Sequence, residues 1–189
     1  MKDFNPTRYT LKCVATGREF EDTGWLLDDS ECKNPSLVRA IYEHKQLEVK
    51  PDEYGLYKFC DWLPIKRMLQ GSAAPVTYRS EALAKHLGLS NLWITLNGYA
   101  PQRGAKMRTC SFKETEAYSV CARIDENEER VLVVASAGNT ARAFARVCSD
   151  NNIKLLLVVP FDNLSALWFT EPLNDCVKLI ACEKGGDYF

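Results

Sequence analysis

The chain has 189 residues, a formal net charge of −1 and 46% hydrophobic side chains. That length holds one domain, or a domain with a small module. The apolar content excludes wholesale disorder, and the near-neutral charge gives no electrostatic ground for a nucleic acid or an anionic membrane as partner.

The start, Met1-Lys2-Asp3-Phe4-Asn5-Pro6, lacks the apolar stretch of a secretory signal. The longest apolar runs, 131–136 and 153–161, are too short to cross a bilayer. A cytoplasmic protein with no membrane partner is expected. Eight cysteines, at 13, 32, 60, 110, 121, 148, 176 and 182, fall mostly in strand and helix patterns. They read as reduced core thiols and not as a disulfide framework.

Residues 9–42 read as short strands and turns, with strand-like content at 9–13 and 37–42 and turn formers at Gly17 and Gly24. Cys13-Val14-Ala15-Thr16-Gly17 and Asp29-Ser30-Glu31-Cys32 have the spacing of two zinc knuckles, with Thr16 and Asp29 where cysteines would stand. Structural zinc takes four good ligands and threonine is not one, so residues 1–44 are expected to form a degenerate zinc-ribbon-like β segment without metal. Residues 45–110 read as a linker, a short helix near Trp62-Leu63-Pro64, and the start of a larger domain. Within them, 80–88 is a compact helix with Ser80 as N-cap and Gly88 as terminator, followed by a strand at 92–96.

From residue 111 the rhythm is regular. A helix over 111–125, a strand over 130–136, a helix over 139–151, a strand over 154–160, a helical stretch over 163–169 and a strand over 177–182 are expected. Apolar strands alternating with helices predict an α/β fold: an open parallel sheet with helices on both faces. Right-handed crossovers then place the turn at 136–139 on the carboxyl edge, where open α/β sheets bind ligands. The last residues, Glu183-Lys184-Gly185-Gly186-Asp187-Tyr188-Phe189, read as a strand exit that should open another helix, so a piece of a longer chain is expected.

Two stretches carry candidate chemistry. Ser111-Phe112-Lys113-Glu114 sets a lysine in the first turn of a helix, where the positive end of the dipole and burial would favour the neutral, nucleophilic amine. Ser136-Ala137-Gly138-Asn139-Thr140 joins a strand to a helix through small residues, so the helix's first N–H groups can meet a carboxylate or phosphate. The dinucleotide pattern G-x-G-x-x-G is absent. His44 and His86 have no partnering motif.

The pair of motifs, in this order and with Ala141-Arg142-Ala143-Phe144 completing the second, resembles the pyridoxal-phosphate enzymes of the tryptophan-synthase-β type. Within them it looks most like the threonine synthase branch, which often carries an N-terminal zinc-ribbon-like segment. Cys110-Ser111-Phe112-Lys113-Glu114, with Tyr57-Lys58-Phe59-Cys60-Asp61-Trp62-Leu63-Pro64 upstream and the Lys184-to-Phe189 ending, is similar to the cysteate synthase family of that branch.

The resemblance implies a tryptophan-synthase-β-like fold, present in part, with residues 111–189 forming the βαβ part of its smaller domain. It implies pyridoxal 5′-phosphate as cofactor, a small amino-acid substrate, and a homo-oligomer of the full-length protein. Lys113 would bond the cofactor's aldehyde and then take the substrate's Cα proton. Asn139 would bind the cofactor's ring oxygen, and Ser136, Ala137, Gly138, Asn139 and Thr140 would grip the substrate carboxylate. The implied reaction takes O-phospho-L-serine and sulfite to L-cysteate and phosphate, in coenzyme M biosynthesis. Threonine synthase action on O-phosphohomoserine is the alternative within the class. A truncated, non-catalytic binding or regulatory module is the alternative outside it.

Overall fold

A computed structural model describes residues 7–186. Met1 to Pro6, and Asp187-Tyr188-Phe189 of the closing motif, lie outside the described residues. Strands β1 (Tyr9–Cys13), β2 (Glu19–Phe20) and β3 (Val38–Tyr42) form an antiparallel sheet in the order β2-β1-β3. Next come β4 (Val76–Arg79), helix α1 (Glu81–Leu87) and β5 (Trp93–Leu96), with β4 and β5 antiparallel. A small hairpin of β6 (Tyr99–Ala100) and β7 (Ala105–Lys106) leads to α2 (Lys113–Cys121). The chain then runs through β8 (Leu132–Ala135), α3 (Asn139–Asp150), β9 (Leu155–Val159) and β10 (Val177–Ala181).

The parallel sheet expected from the sequence is present, in the order β10-β9-β8, with Leu132 beside Leu155 and Leu155 beside Val177. Helix α3 crosses from β8 to β9 and packs on all three strands. Its apolar positions Ala141, Phe144, Ala145 and Cys148 recur at helical spacing and are all buried. Leu155, Leu157 and Val159 face it from β9 and are also buried. Burial contributes about 1.5–3 kcal/mol for each large apolar side chain, which holds this layer together. Helices were expected on both faces. Among the described residues α3 covers one face, while Val133 on the other is 58% exposed.

The segment before α1 joins the same core. Tyr57 and Tyr118 pack edge to face at 6.5 Å, and the Leu69 N–H donates to the Tyr57 hydroxyl at 2.8 Å. Gly55 permits this packing: its φ is +57°, and a Cβ there would lie 2.4 Å from the Ser72 carbonyl. At α1, Gly88 takes the left-handed conformation at the C-cap, as expected. Ser80 occupies the N-cap position, but its hydroxyl makes no capping bond.

The knuckle-like segment is tied together by charge. Arg18 Nε donates to both oxygens of Asp29, at 3.1 and 3.2 Å, and Arg18 Nη1 reaches Glu31. A hydrogen bond from the Thr16 hydroxyl, then one from Ser36, holds the Cys13 thiol down at about 7. Two of the four ligand positions, Thr16 and Asp29, are thus engaged in side-chain bonds within the protein. Among the described residues no group of three His, Cys, Asp or Glu side chains is arranged to hold a metal ion. The segment is anchored to the rest by Arg123, which donates to Asp22 through Nε and Nη2, each at 2.9 Å. No helix of the described residues is long and apolar enough to cross a membrane.

Candidate active site

The lysine loop is built from its polar side chains. Helix α2 starts at Lys113, whose N–H donates to Ser111 Oγ at 3.3 Å. Glu114, 1% exposed, turns back into the protein. One of its oxygens accepts the Thr109 N–H and the Thr109 hydroxyl, both at 2.8 Å. Burial pushes the Glu114 carboxyl up, against the lowering effect of the two Thr109 bonds. Between these fixed points Cys110 adopts φ +53°, a left-handed conformation uncommon outside glycine.

The loop therefore presents Cys110 and Phe112 outward. A thiol reagent such as iodoacetamide, followed by peptide mass mapping, is expected to modify Cys110 in the native protein ahead of Cys13, Cys60, Cys121 and Cys148, which are buried.

Lys113 departs from its expected burial. Its side chain is 32% exposed, and Nζ pairs with Glu116 Oε2 at 2.5 Å one turn along the helix. Condensation with an aldehyde requires the amine to leave this carboxylate. The pair is partly exposed at both ends, so it is a weak restraint of about 0–1 kcal/mol.

Residues 136–140 lie on the carboxyl edge of the sheet, as expected. The Ser136 N–H donates to the Val158 carbonyl of β9 at 3.1 Å, and α3 begins three residues later. The first N–H groups of a helix have no intrahelical acceptor, and no side chain caps α3. A Cβ on Gly138 would meet nothing within 4 Å, so open space lies over the turn. Arg142 Nη2 donates to Asn139 Oδ1. That bond occupies the amide's acceptor and leaves Nδ2 free to donate.

Each motif opens one of two packed helices, α2 and α3. The helices pack together, with Cys121 Sγ and Cys148 Sγ 3.7 Å apart. The mutual bond and then burial push the Cys148 thiol up. Burial pushes the Arg142 guanidinium down, and its Nη2 holds Asn139. The Lys113 amine itself turns to Glu116, and no bond joins it to residues 136–140. A cleft of about 620 Å³ lies elsewhere, against Tyr9, Asp22, Tyr42 and Lys66, and opens to solvent.

Arg142 and Glu114, given no role from the sequence, bond to Asn139 and Thr109 at the two motifs. The signal for Glu114 was present as Ser111-x-x-Glu114, a capping-box spacing. The signal for Arg142 was an arginine set among small apolar residues of a helix.

No protein-family model matches the chain. It is 44% identical over 181 residues to the cysteate synthase of Methanosarcina mazei, covering 96% of this chain and 42% of that protein. It is 42% identical over 182 residues to the cysteate synthase of Methanosarcina acetivorans, with the same shares covered. It is 42% identical over 181 residues to that of Methanoculleus marisnigri, covering 96% of this chain and 41% of the relative. By sequence the chain is a relative of the cysteate synthases, similar to them over 96% of its own length and spanning 42% of theirs.

Proposed function

We propose that this chain carries part of the active site of a pyridoxal-phosphate enzyme that replaces the β-substituent of O-phospho-L-serine with sulfite, giving L-cysteate and phosphate. Net, the Cβ–O bond to phosphate breaks and a Cβ–S bond to sulfite forms. Its main support is the packing of α2, which opens on Lys113, against α3, which opens on Asn139. The named function of the relatives supports it as well.

The donor set fits such a cofactor. Lys113 offers an amine, and Asn139 turns an amide donor outward because its acceptor is engaged. When bound, the cofactor supplies an electron sink for the pair left at Cα. Lys113 would tether it and then hold and return the Cα proton at Nζ. The free N–H groups at the start of α3 would orient the substrate carboxylate over the open space at Gly138.

Borohydride reduction in the presence of pyridoxal phosphate, followed by peptide mapping, tests the assignment. A stable pyridoxyl adduct on Lys113 is expected, in preference to the other lysines. Modification spread over several surface lysines, with none on Lys113, would refute it.

A further inference from the structure

Helix α3 carries two buried arginines one turn apart, and only one is neutralised. Arg146 Nη2 pairs with Asp150 at 2.5 Å and with Ser149 Oγ at 3.1 Å, and its Nη1 reaches the carbonyls of Glu171 and Pro172. Arg142 is 7% exposed, yet among the described residues no carboxylate pairs with it. Its guanidinium stacks on the Trp168 ring at 4.0 Å, and Nη2 donates to Asn139 Oδ1. Nη1 is buried and donates to nothing.

A buried cation with an unused donor is costly, because lost hydration is not replaced. Stacking and one amide oxygen do not neutralise it. Nη2 of the same guanidinium reaches Asn139, the first residue of α3, where the helix contributes roughly half a positive charge and N–H groups without acceptors. The guanidinium without a carboxylate calls for an oxyanion, apart from the carboxylate that the N–H groups of α3 would hold. A guanidinium fork matches the several oxygens of a phosphate or sulfite group better than a single acceptor. A phosphate monoester, at about −1.5 to −2 near neutral pH, more than balances the single charge of the guanidinium.

We propose that the Arg142 guanidinium, stacked on Trp168 and bonded through Nη2 to Asn139 at the start of α3, is a recognition site for a tetrahedral or pyramidal oxyanion, the phosphate of the substrate or the incoming sulfite. The site stands on α3 alone; its place in the reaction rests on the function proposed above. In that setting Arg142 is a specificity-determining residue, which selects a phosphorylated serine over serine itself.

The test is a titration of the 189-residue chain, followed by backbone and arginine side-chain ¹⁵N–¹H NMR. The ligands are inorganic phosphate, sulfite, O-phospho-L-serine and L-serine. Wild type is expected to show saturable shifts at residues 138–142 and at the Arg142 Nε–H with the first three ligands, and none of comparable affinity with L-serine. Arg142→Met is expected to weaken binding about tenfold or more, with Arg142→Lys falling between.

Phosphate should also raise the midpoint of thermal unfolding of wild type and leave that of Arg142→Met unmoved. A merely structural arginine would give the opposite pattern, a less stable variant and no stabilisation of wild type by anions. Absence of shifts at 138–142 in wild type, or L-serine binding as tightly as O-phospho-L-serine, would overturn the proposal. If Arg142→Met does not fold, the wild-type and Arg142→Lys titrations decide alone. Lack of pyridoxyl label on Lys113 would leave these shifts in place. Label on Lys113 with no anion response would remove this inference and spare the cofactor assignment.

Discussion

Lys113→Ala is expected to abolish the reducible adduct and the visible absorption that forms when pyridoxal phosphate meets the wild-type chain. The expected loss is complete, because a covalent bond to one nitrogen has no partial substitute. The structure adds a second expectation with a direction. Lys113 Nζ is held by Glu116 at 2.5 Å, and the aldehyde must compete with that carboxylate for the amine. Glu116→Gln removes the competing charge and leaves the helix start intact. Adduct formation should then be faster, by up to about fivefold, since a partly exposed pair is worth at most about 1 kcal/mol. Added salt should speed the wild type in the same direction and leave Glu116→Gln nearly unchanged. Absorbance at a fixed pH, recorded over time for the three proteins, reads all of this. A slower Glu116→Gln would mean that Glu116 positions the amine instead of sequestering it.

The elements from residue 111 onward were legible because their signals are local. Leu132–Ala135 and Leu155–Val159 are apolar throughout, and α3 repeats its small and apolar side chains at helical spacing. Such patterns report burial directly. The turn at 136–140 was legible for the same reason, since small residues between a strand and a helix have few other uses. What escaped the sequence is contact between distant residues. Asp22 and Arg123 are 101 positions apart, and Arg142 meets Trp168 from the next connection. Nothing near either member marks its partner.

Lys113 shows the same limit in a finer form. Its place at the start of a helix follows from the neighbouring residues, but its exposure depends on which way Glu116 reaches. The knuckle-like spacing is present in the sequence, yet the ion pair that Arg18 makes with Asp29 could not be inferred from spacing alone. The pairing of Glu114 was half legible. The capping-box spacing predicts that it turns back toward Ser111, but it passes that residue and reaches Thr109.

Glu114→Ala is expected to destabilise the chain by about 3 kcal/mol, the range for buried donors left without an acceptor. Two donors lose their partner at once, the Thr109 N–H and the Thr109 hydroxyl. For a domain with a total stability of about 5–15 kcal/mol this is a large fraction, visible as a lower urea midpoint. The loop from Thr109 to Phe112 loses its anchor, so adduct formation at Lys113 should slow as well.

Glu114→Gln separates charge from bonding. Burial raises the folded carboxyl above its ordinary value of 4.5, so between that value and the raised one the folded state binds the proton and the unfolded state does not. This group's contribution is therefore fully present below 4.5 and lost as the pH rises through the folded value. The glutamine variant has no proton to lose, and its stability should be flatter over that window and equal to or above wild type at neutral pH. Urea midpoints measured across the window test the sign. A wild type that gains stability there, relative to Glu114→Gln, would show that the Thr109 bonds outweigh burial and that the carboxylate, not the acid, holds the loop.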